Sequence, residues 1–212
     1  MKIVHVDLNT DCSEVIREAV DVLSRGGVIV YPTDTVYGLG ANALNTDAVE
    51  QVFKIKNRQS DKPLPIVARN LGWVRELAFV PPKLEKVLSE VWPGPTTVIL
   101  PNQRIIPKVL IAGLHNVGIR IPDHQFIDRI LAKFGYPLTS TSANIAGEEA
   151  TGDINQIIGS FTDRIWKPDL VIDAGVLPKS KPSTVIDLST LKPKILRAGP
   201  NIDLIQELFN IK

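Results

Sequence analysis

YPTDTVYGLGAN, Tyr31 to Asn42, follows Gly27-Val28-Ile29-Val30, a short apolar and β-branched run that reads as a buried strand. The stretch then abandons apolar periodicity, so the spacing predicts a strand leading into a loop. Pro32 fixes one φ, Gly38 and Gly40 permit backbone turns that other residues resist, and Thr33, Asp34, Thr35, Tyr37 and Asn42 supply polar groups. A tight connector with self-capping Thr and Asp side chains accounts for this loop. So does a ligand-binding loop at the end of a buried strand, where open α/β sheets hold their ligands.

On either side of this stretch the periodicity alternates. Lys2 to Leu8 reads as a strand. Thr10 or Asp11 can cap a helix whose Val15, Ile16, Ala19, Val20, Val22 and Leu23 share a face, and Gly26-Gly27 stops it. After the loop, Thr46 caps a second helix carrying Ala48, Val49, Val52, Phe53 and Ile55. Strand, helix, strand, helix implies α/β architecture. Further strands are expected at Leu64–Ala68, Thr96–Leu100, Asn116–Ile121, Pro137–Thr139, Leu170–Ile172, Val185–Leu188 and Lys194–Leu196. Helices are expected from Pro81-Pro82 to Trp92, Asp123 to Phe134, Asp153 to Phe161 and Ile202 to Phe209.

The chain has 212 residues, 44% of them hydrophobic, enough for one sizeable core. With no internal repeat or linker, the expectation is a single domain over residues 1–212. A net charge of +1 gives no global argument for a polyanion partner. One cysteine, Cys12, excludes an internal disulfide and a thiolate-rich metal site, and His5, His115 and His124 have no ligand spacing, so no protein-built metal site is expected. The N-terminus lacks a signal peptide's apolar core and no run approaches a membrane span, which points to a reduced, cytoplasmic protein with no membrane partner.

Three polar features stand out against this scaffold. Lys56 and Arg58 end the second helix, where they either complement its dipole or aim at one anion. Arg120 lies inside an apolar strand and needs a partner, either a carboxylate or an anionic ligand in a cleft. Thr139 to Ser142, followed by Ala143-Asn144, repeats the chemistry of the first loop after another short strand. No His or Gly-x-Ser-x-Gly elbow accompanies Ser142, so a hydrogen-bonding cradle fits better than a nucleophile.

Taken in order, YPTDTVYGLGANA, KIKNRQSDKPL, WPGPTTVIL, VGIRIPDH, TSANIAG, PSTVIDL and ILRAGP resemble the YrdC/Sua5 family of threonylcarbamoyl-AMP synthases, in its short form. The resemblance implies an open, twisted, partly parallel α/β sheet with a basic concave nucleotide-binding face. It also implies a nucleotidyltransferase that joins L-threonine, bicarbonate and ATP, with Mg²⁺, into L-threonylcarbamoyladenylate and pyrophosphate. By the same resemblance, the product is expected to serve a downstream threonylcarbamoyl transferase complex that makes N6-threonylcarbamoyladenosine at position 37 of ANN-decoding tRNAs. The family's Lys-x-Arg and Ser-x-Asn signatures fall on Lys56, Arg58, Ser142 and Asn144. Its nucleotide contacts fall on Arg58, Lys62, Asn116, Ser142 and Arg197, and its threonine contacts on Thr35, Arg120, Ser140 and Ser183. Val67, Lys62 and Ala150 depart from the family's His, Asn and Ser. The rival reading is a module that binds double-stranded RNA or tRNA without catalysis, against which the near-neutral charge and the lack of an aromatic-basic stripe both argue.

Overall fold

Val28 and Val30 point into one core, while Ile29 and Tyr31 point into a second on the opposite face of the same strand. All four are fully buried, which is why this run shows no apolar–polar alternation. The computed structural model describes residues 1–211. In chain order these form β1 (Lys2–His5), α1 (Ser13–Ser24), β2 (Ile29–Tyr31), β3 (Gly38–Gly40), α2 (Thr46–Lys56), β4 (Ile66–Val67), α3 (Leu71–Leu77), α4 (Pro82–Val91) and β5 (Thr96–Pro101). There follow β6 (Asn116–Arg120), α5 (Gln125–Phe134), β7 (Leu138–Thr139), β8 (Thr141–Ser142), α6 (Ile154–Thr162), β9 (Leu170–Asp173), β10 (Thr184–Asp187), β11 (Lys194–Arg197) and α7 (Ile202–Phe209).

The architecture is the expected α/β one with open, partly parallel sheets, and the strands divide between two of them. One runs β1-β9-β2-β3-β8, with β1, β9 and β2 parallel and β3 and β8 antiparallel to their neighbours. The other runs β11-β10-β5-β6-β4-β7, with parallel pairs β10–β5 and β6–β4 among antiparallel ones. Helices α1 and α5 pack together, and their apolar residues form the second core with Ile29, Tyr31, Leu170 and Ile172. The larger core takes Val30, Leu39, Val98 and Ile119 with apolar residues of α2, α4 and α6.

Several local expectations change. Gly38 and Gly40 are strand residues of β3 rather than turn residues, because each faces the Tyr31 ring so closely that a Cβ would collide with it. Tyr31 in turn donates to the Thr139 carbonyl at 3.2 Å. The helix caps fall one residue from their expected places: Asn45 rather than Thr46 caps α2 by accepting from the Ala48 amide, and α5 begins after His124 rather than Asp123. Strand β8 and helix α3 were not expected. The latter is capped by the Asn70 side chain, which accepts from the Trp73 amide.

Leu138 to Ser142 joins the two sheets. β7 pairs with β4 in one sheet, Ser140 follows, and β8 pairs with β3 in the other. Thr139, fully buried, fixes the crossing: its amide donates to the Ala41 carbonyl, its hydroxyl to the Leu39 carbonyl, and the Ala41 amide donates to that hydroxyl.

Candidate functional site

A cleft of about 1010 Å³ opens at this junction. The first polar loop and β8 line one wall. The other is made by alternate residues of three strands: Thr97 and Ile99 of β5, Gly118 and Arg120 of β6, and Val185 and Asp187 of β10. The strand period puts all of these on one face. Every site residue expected from the sequence, Thr35, Lys56, Arg58, Lys62, Asn116, Arg120, Ser140, Ser142, Asn144, Ser183 and Arg197, lines this cleft.

Arg120 makes the carboxylate pair that its sequence context allowed, and it also lines the cleft. Its guanidinium is 5% exposed and pairs with Asp34 at 2.6 Å, while it also donates to the Thr35 hydroxyl and the Gly94 carbonyl, each at 3.0 Å. Three of its five N–H groups are thereby used, one from each nitrogen, leaving one N–H on each terminal nitrogen. Thr35 is itself held, since its hydroxyl pairs with that of Thr33 at 3.0 Å and its amide donates to the same oxygen.

Ser183 is fixed from two sides. Its hydroxyl pairs with that of Thr97 at 2.8 Å, and Arg197 clamps it by donating from Nε to its carbonyl and from a terminal nitrogen to its hydroxyl. Burial, reinforced by the Arg120 cation, lowers the Arg197 pKa.

Lys56 and Arg58 diverge after α2, because Asn57 adopts a left-handed conformation at φ 50° that ends the helix. Arg58 is held by the carbonyls of Lys62 and Pro63, each at 3.0 Å, and makes no salt bridge among the described residues. Burial lowers its pKa, with Asp61 opposing. Such a cation, steadied by neutral acceptors, keeps its charge for an anion. Lys56 is different. Its ammonium, 2% exposed, donates to the Ser142 carbonyl at 2.6 Å, the Asn144 carbonyl at 2.8 Å and Asn144 Oδ1 at 2.9 Å, so all three protons are used. Burial, reinforced by Arg58 and opposed by Glu148, lowers its pKa to about 7. Asn144 is equally committed, accepting also from the Ser142 hydroxyl and donating to the Glu148 carbonyl. Lys56 and Asn144 therefore shape the loop, which presents the Ser142 hydroxyl to the cleft.

The sequence reading left out Asp34, Thr97 and the Gly94 carbonyl as site groups. Asp34 and Thr97 stand beside residues it did select, and the rigid Trp92-Pro93-Gly94-Pro95 segment, read as packing, places an acceptor on Arg120. Of the three departures from the family pattern, Val67 is buried in the second core, Lys62 stands exposed at the cleft rim, and Ala150 lies outside the lining.

Residues 21–199 match the family model Sua5_yciO_yrdC, described as telomere recombination. The chain belongs to the Sua5/YciO/YrdC family. It is 38% identical over 175 residues to the putative threonylcarbamoyl-AMP synthase of Methanocaldococcus jannaschii, covering 82% of this chain and 81% of that one. It is 35% identical over 185 residues to the threonylcarbamoyl-AMP synthase of Pyrococcus abyssi, covering 87% of this chain but 54% of that protein, and spans a similar 53% of the Bacillus subtilis enzyme. Among Sua5/YciO/YrdC structures, P. abyssi Sua5 complexed with L-threonine superimposes with a TM-score of 0.89 at 33% identity, over 98% of this chain and 61% of that one. Escherichia coli YciO gives 0.82 at 29% identity, over 93% and 94%.

Proposed function

We propose that this chain condenses L-threonine, bicarbonate and ATP into L-threonylcarbamoyladenylate and pyrophosphate. The observation that carries this reading is the division of the cleft into two cationic stations. Arg120, with Thr35, Thr97 and Ser183 around it, offers a fork for an amino-acid carboxylate and hydroxyls for a short polar side chain. Arg58 and Lys62, beside the Ser142 loop, offer charge and hydrogen bonds to a triphosphate. Relatives named threonylcarbamoyl-AMP synthases, and a relative crystallised with L-threonine, support the same assignment.

The chemistry needs what such a cleft provides. Threonine's amine attacks bicarbonate and forms a carbamate with loss of water. A carbamate oxygen then attacks the α-phosphorus, the bond to the bridging oxygen breaks, and pyrophosphate leaves with its electron pair. Both reactants of the second step are anions, so bringing them together requires fixed cations and alignment. In this reading Arg58 and Lys62 neutralise the departing phosphates, Ser142 holds the α-phosphate, and Arg120 anchors the threonine carboxylate. Ser140 lines the same cleft.

Mg²⁺, implied by the family resemblance, finds no resident site. No cluster of three or more His, Cys, Asp or Glu side chains occurs among the described residues, and Asp187 is the one carboxylate lining the cleft. The ion would enter as the counter-ion of its nucleotide. The mixed anhydride is a reactive acyl donor, so a downstream threonylcarbamoyl transferase is its natural consumer. No helix among the described residues is long and apolar enough to cross a membrane.

Incubation with ¹⁴C-bicarbonate, L-threonine and ATP tests the assignment. The expected result is pyrophosphate release that requires threonine, with label in an AMP-containing product. Formation of ADP and orthophosphate, or turnover indifferent to threonine, would overturn it.

A further inference from the structure

The cleft floor has a second end, opposite in character to the one described above. Strand pairing sets Asp187 beside Ile99 and Ile99 beside Gly118, with Asn116 one rung further along β6. All four residues line the cleft. Gly118 carries no side chain, and a Cβ there would already stand 3.4 Å from both Pro65 and Thr97, so any larger residue would be forced up into the open space. What remains is a flat shelf of backbone and the half-buried Ile99 and Val185, flanked by Leu114 and Leu196, which are 52% and 50% exposed at the cleft mouth. Two half-exposed leucines over a flat apolar strip fit the faces of an aromatic ring.

The rim of that shelf is specific. Asp187 Oδ1 accepts from the Ser189 amide at 2.9 Å, and Asn116 Nδ2 donates to the Ser189 hydroxyl at 3.0 Å. Ser189 thus ties both side chains in place and leaves each an oxygen, Asp187 Oδ2 and Asn116 Oδ1, with no protein donor among the described residues. A carboxylate here disfavours phosphate, although Lys194 lies opposite it across the β10–β11 pair, whereas Arg120 and Arg197 stand toward the other ends of β6 and β10. An occupant is therefore polarised: anionic at one end, planar in the middle, and a hydrogen-bond donor at the tip.

We propose that Asp187, steadied by Ser189 and assisted by Asn116, reads the exocyclic amine of the nucleotide base and is the residue by which this cleft selects an amino-bearing purine. The inference rests on the nucleotide reading given above and adds the base-selecting contact. A 6-amino group brings two N–H donors to two waiting acceptors, whereas a 6-oxo group in the same pose sets a lone pair against the carboxylate. Asp187 and Asn116 are half-buried, and acceptors held in place for a donor discriminate against an analogue that lacks it.

Calorimetric titration of the wild-type protein and Asp187→Asn with ATP, purine riboside 5′-triphosphate and 2′-deoxy-ATP tests this. The wild type is expected to bind ATP about ten- to a hundredfold more tightly than the amine-free purine nucleotide, the range that one charge-assisted hydrogen bond supplies. Asp187→Asn should collapse that ratio by weakening ATP alone, and 2′-deoxy-ATP should bind the wild type like ATP. Equal wild-type affinity for ATP and the amine-free nucleotide would overturn the proposal while leaving the nucleotide site standing. So would an equal loss of both in the variant, or a penalty for the 2′-deoxy nucleotide matching the one caused by the substitution. Failure of the wild type to bind any of the three would instead remove the nucleotide reading itself.

Discussion

Replacing Lys56 by methionine separates a group that shapes the site from one that touches the ligand. Methionine keeps most of the apolar stem and removes the ammonium. The Ser142 and Asn144 carbonyls lose their Lys56 donor, while Asn144 Oδ1 keeps the Ser142 hydroxyl at 2.6 Å. Each orphaned buried acceptor costs about 1–3 kcal/mol. Relief from holding a desolvated ammonium returns part of this, giving a net loss of about 2–4 kcal/mol. In a chain of this size that lowers the melting temperature by roughly 5–15 °C. ATP affinity should fall with it, because the Ser142 loop loses its support, and a double-mutant cycle with Asn144→Ala should show strong coupling. Calorimetry at several pH values adds a signed test. The folded-state pKa of about 7 lies below the ordinary 10.5, so the unfolded chain holds the extra proton between those values. The wild type should therefore gain stability relative to Lys56→Met as pH rises through that window. An unchanged melting temperature, combined with a loss of ATP affinity as large as that of Arg58→Ala, would refute the reasoning and place the ammonium on the phosphates.

Arg58→Ala removes a cation held only by carbonyls, so ATP binding should weaken about ten- to a hundredfold in a titration with little change in melting temperature; unchanged binding would leave Arg58 a helix-end residue. Asp34→Ala leaves the buried Arg120 charge uncompensated, and should cost about 3–5 kcal/mol of stability and raise the KM for threonine more than that for ATP. Equal effects on both KM values would show that Arg120 does not serve threonine in particular. L-Valine, with a methyl in place of threonine's hydroxyl, should turn over at least about a hundredfold less efficiently, because it leaves the Thr97–Ser183 hydroxyl pair without its ligand partner. Equal kcat/KM for the two amino acids would remove hydroxyl recognition while leaving carboxylate binding intact.

The helices and the long strands were legible because each carries a full period of apolar residues, as α2 does with Val49, Val52 and Phe53. Strands β3 and β8 were not. They are three and two residues long, made of glycine, leucine and hydroxyl residues, and exist because Tyr31 and Thr139 lock their neighbours together. Helix α3 was legible in principle, since Asn70 is a capping residue and Val74 and Leu77 are three apart. The site loops could be located from their polarity, yet polarity does not reveal which donors are free. That Lys56 is saturated and Arg58 is not depends on which carbonyls the fold brings within 3 Å, a property of tertiary structure.

The crossing of Leu138 to Ser142 between the two sheets carries a consequence for how the molecule opens. Neither wall of the cleft can detach while the other stays folded, because Thr139 and Ser142 belong to the hydrogen-bond ladders on both sides of the seam. Local fraying at β11 or α1 can leave the seam intact, whereas release of the seam unpairs β3, β4 and the Tyr31 ring together. Amide protons of Leu39, Ala41 and Thr139 should accordingly exchange at one common rate near that of global unfolding, so that the cleft is the last part of the fold to be lost rather than the first.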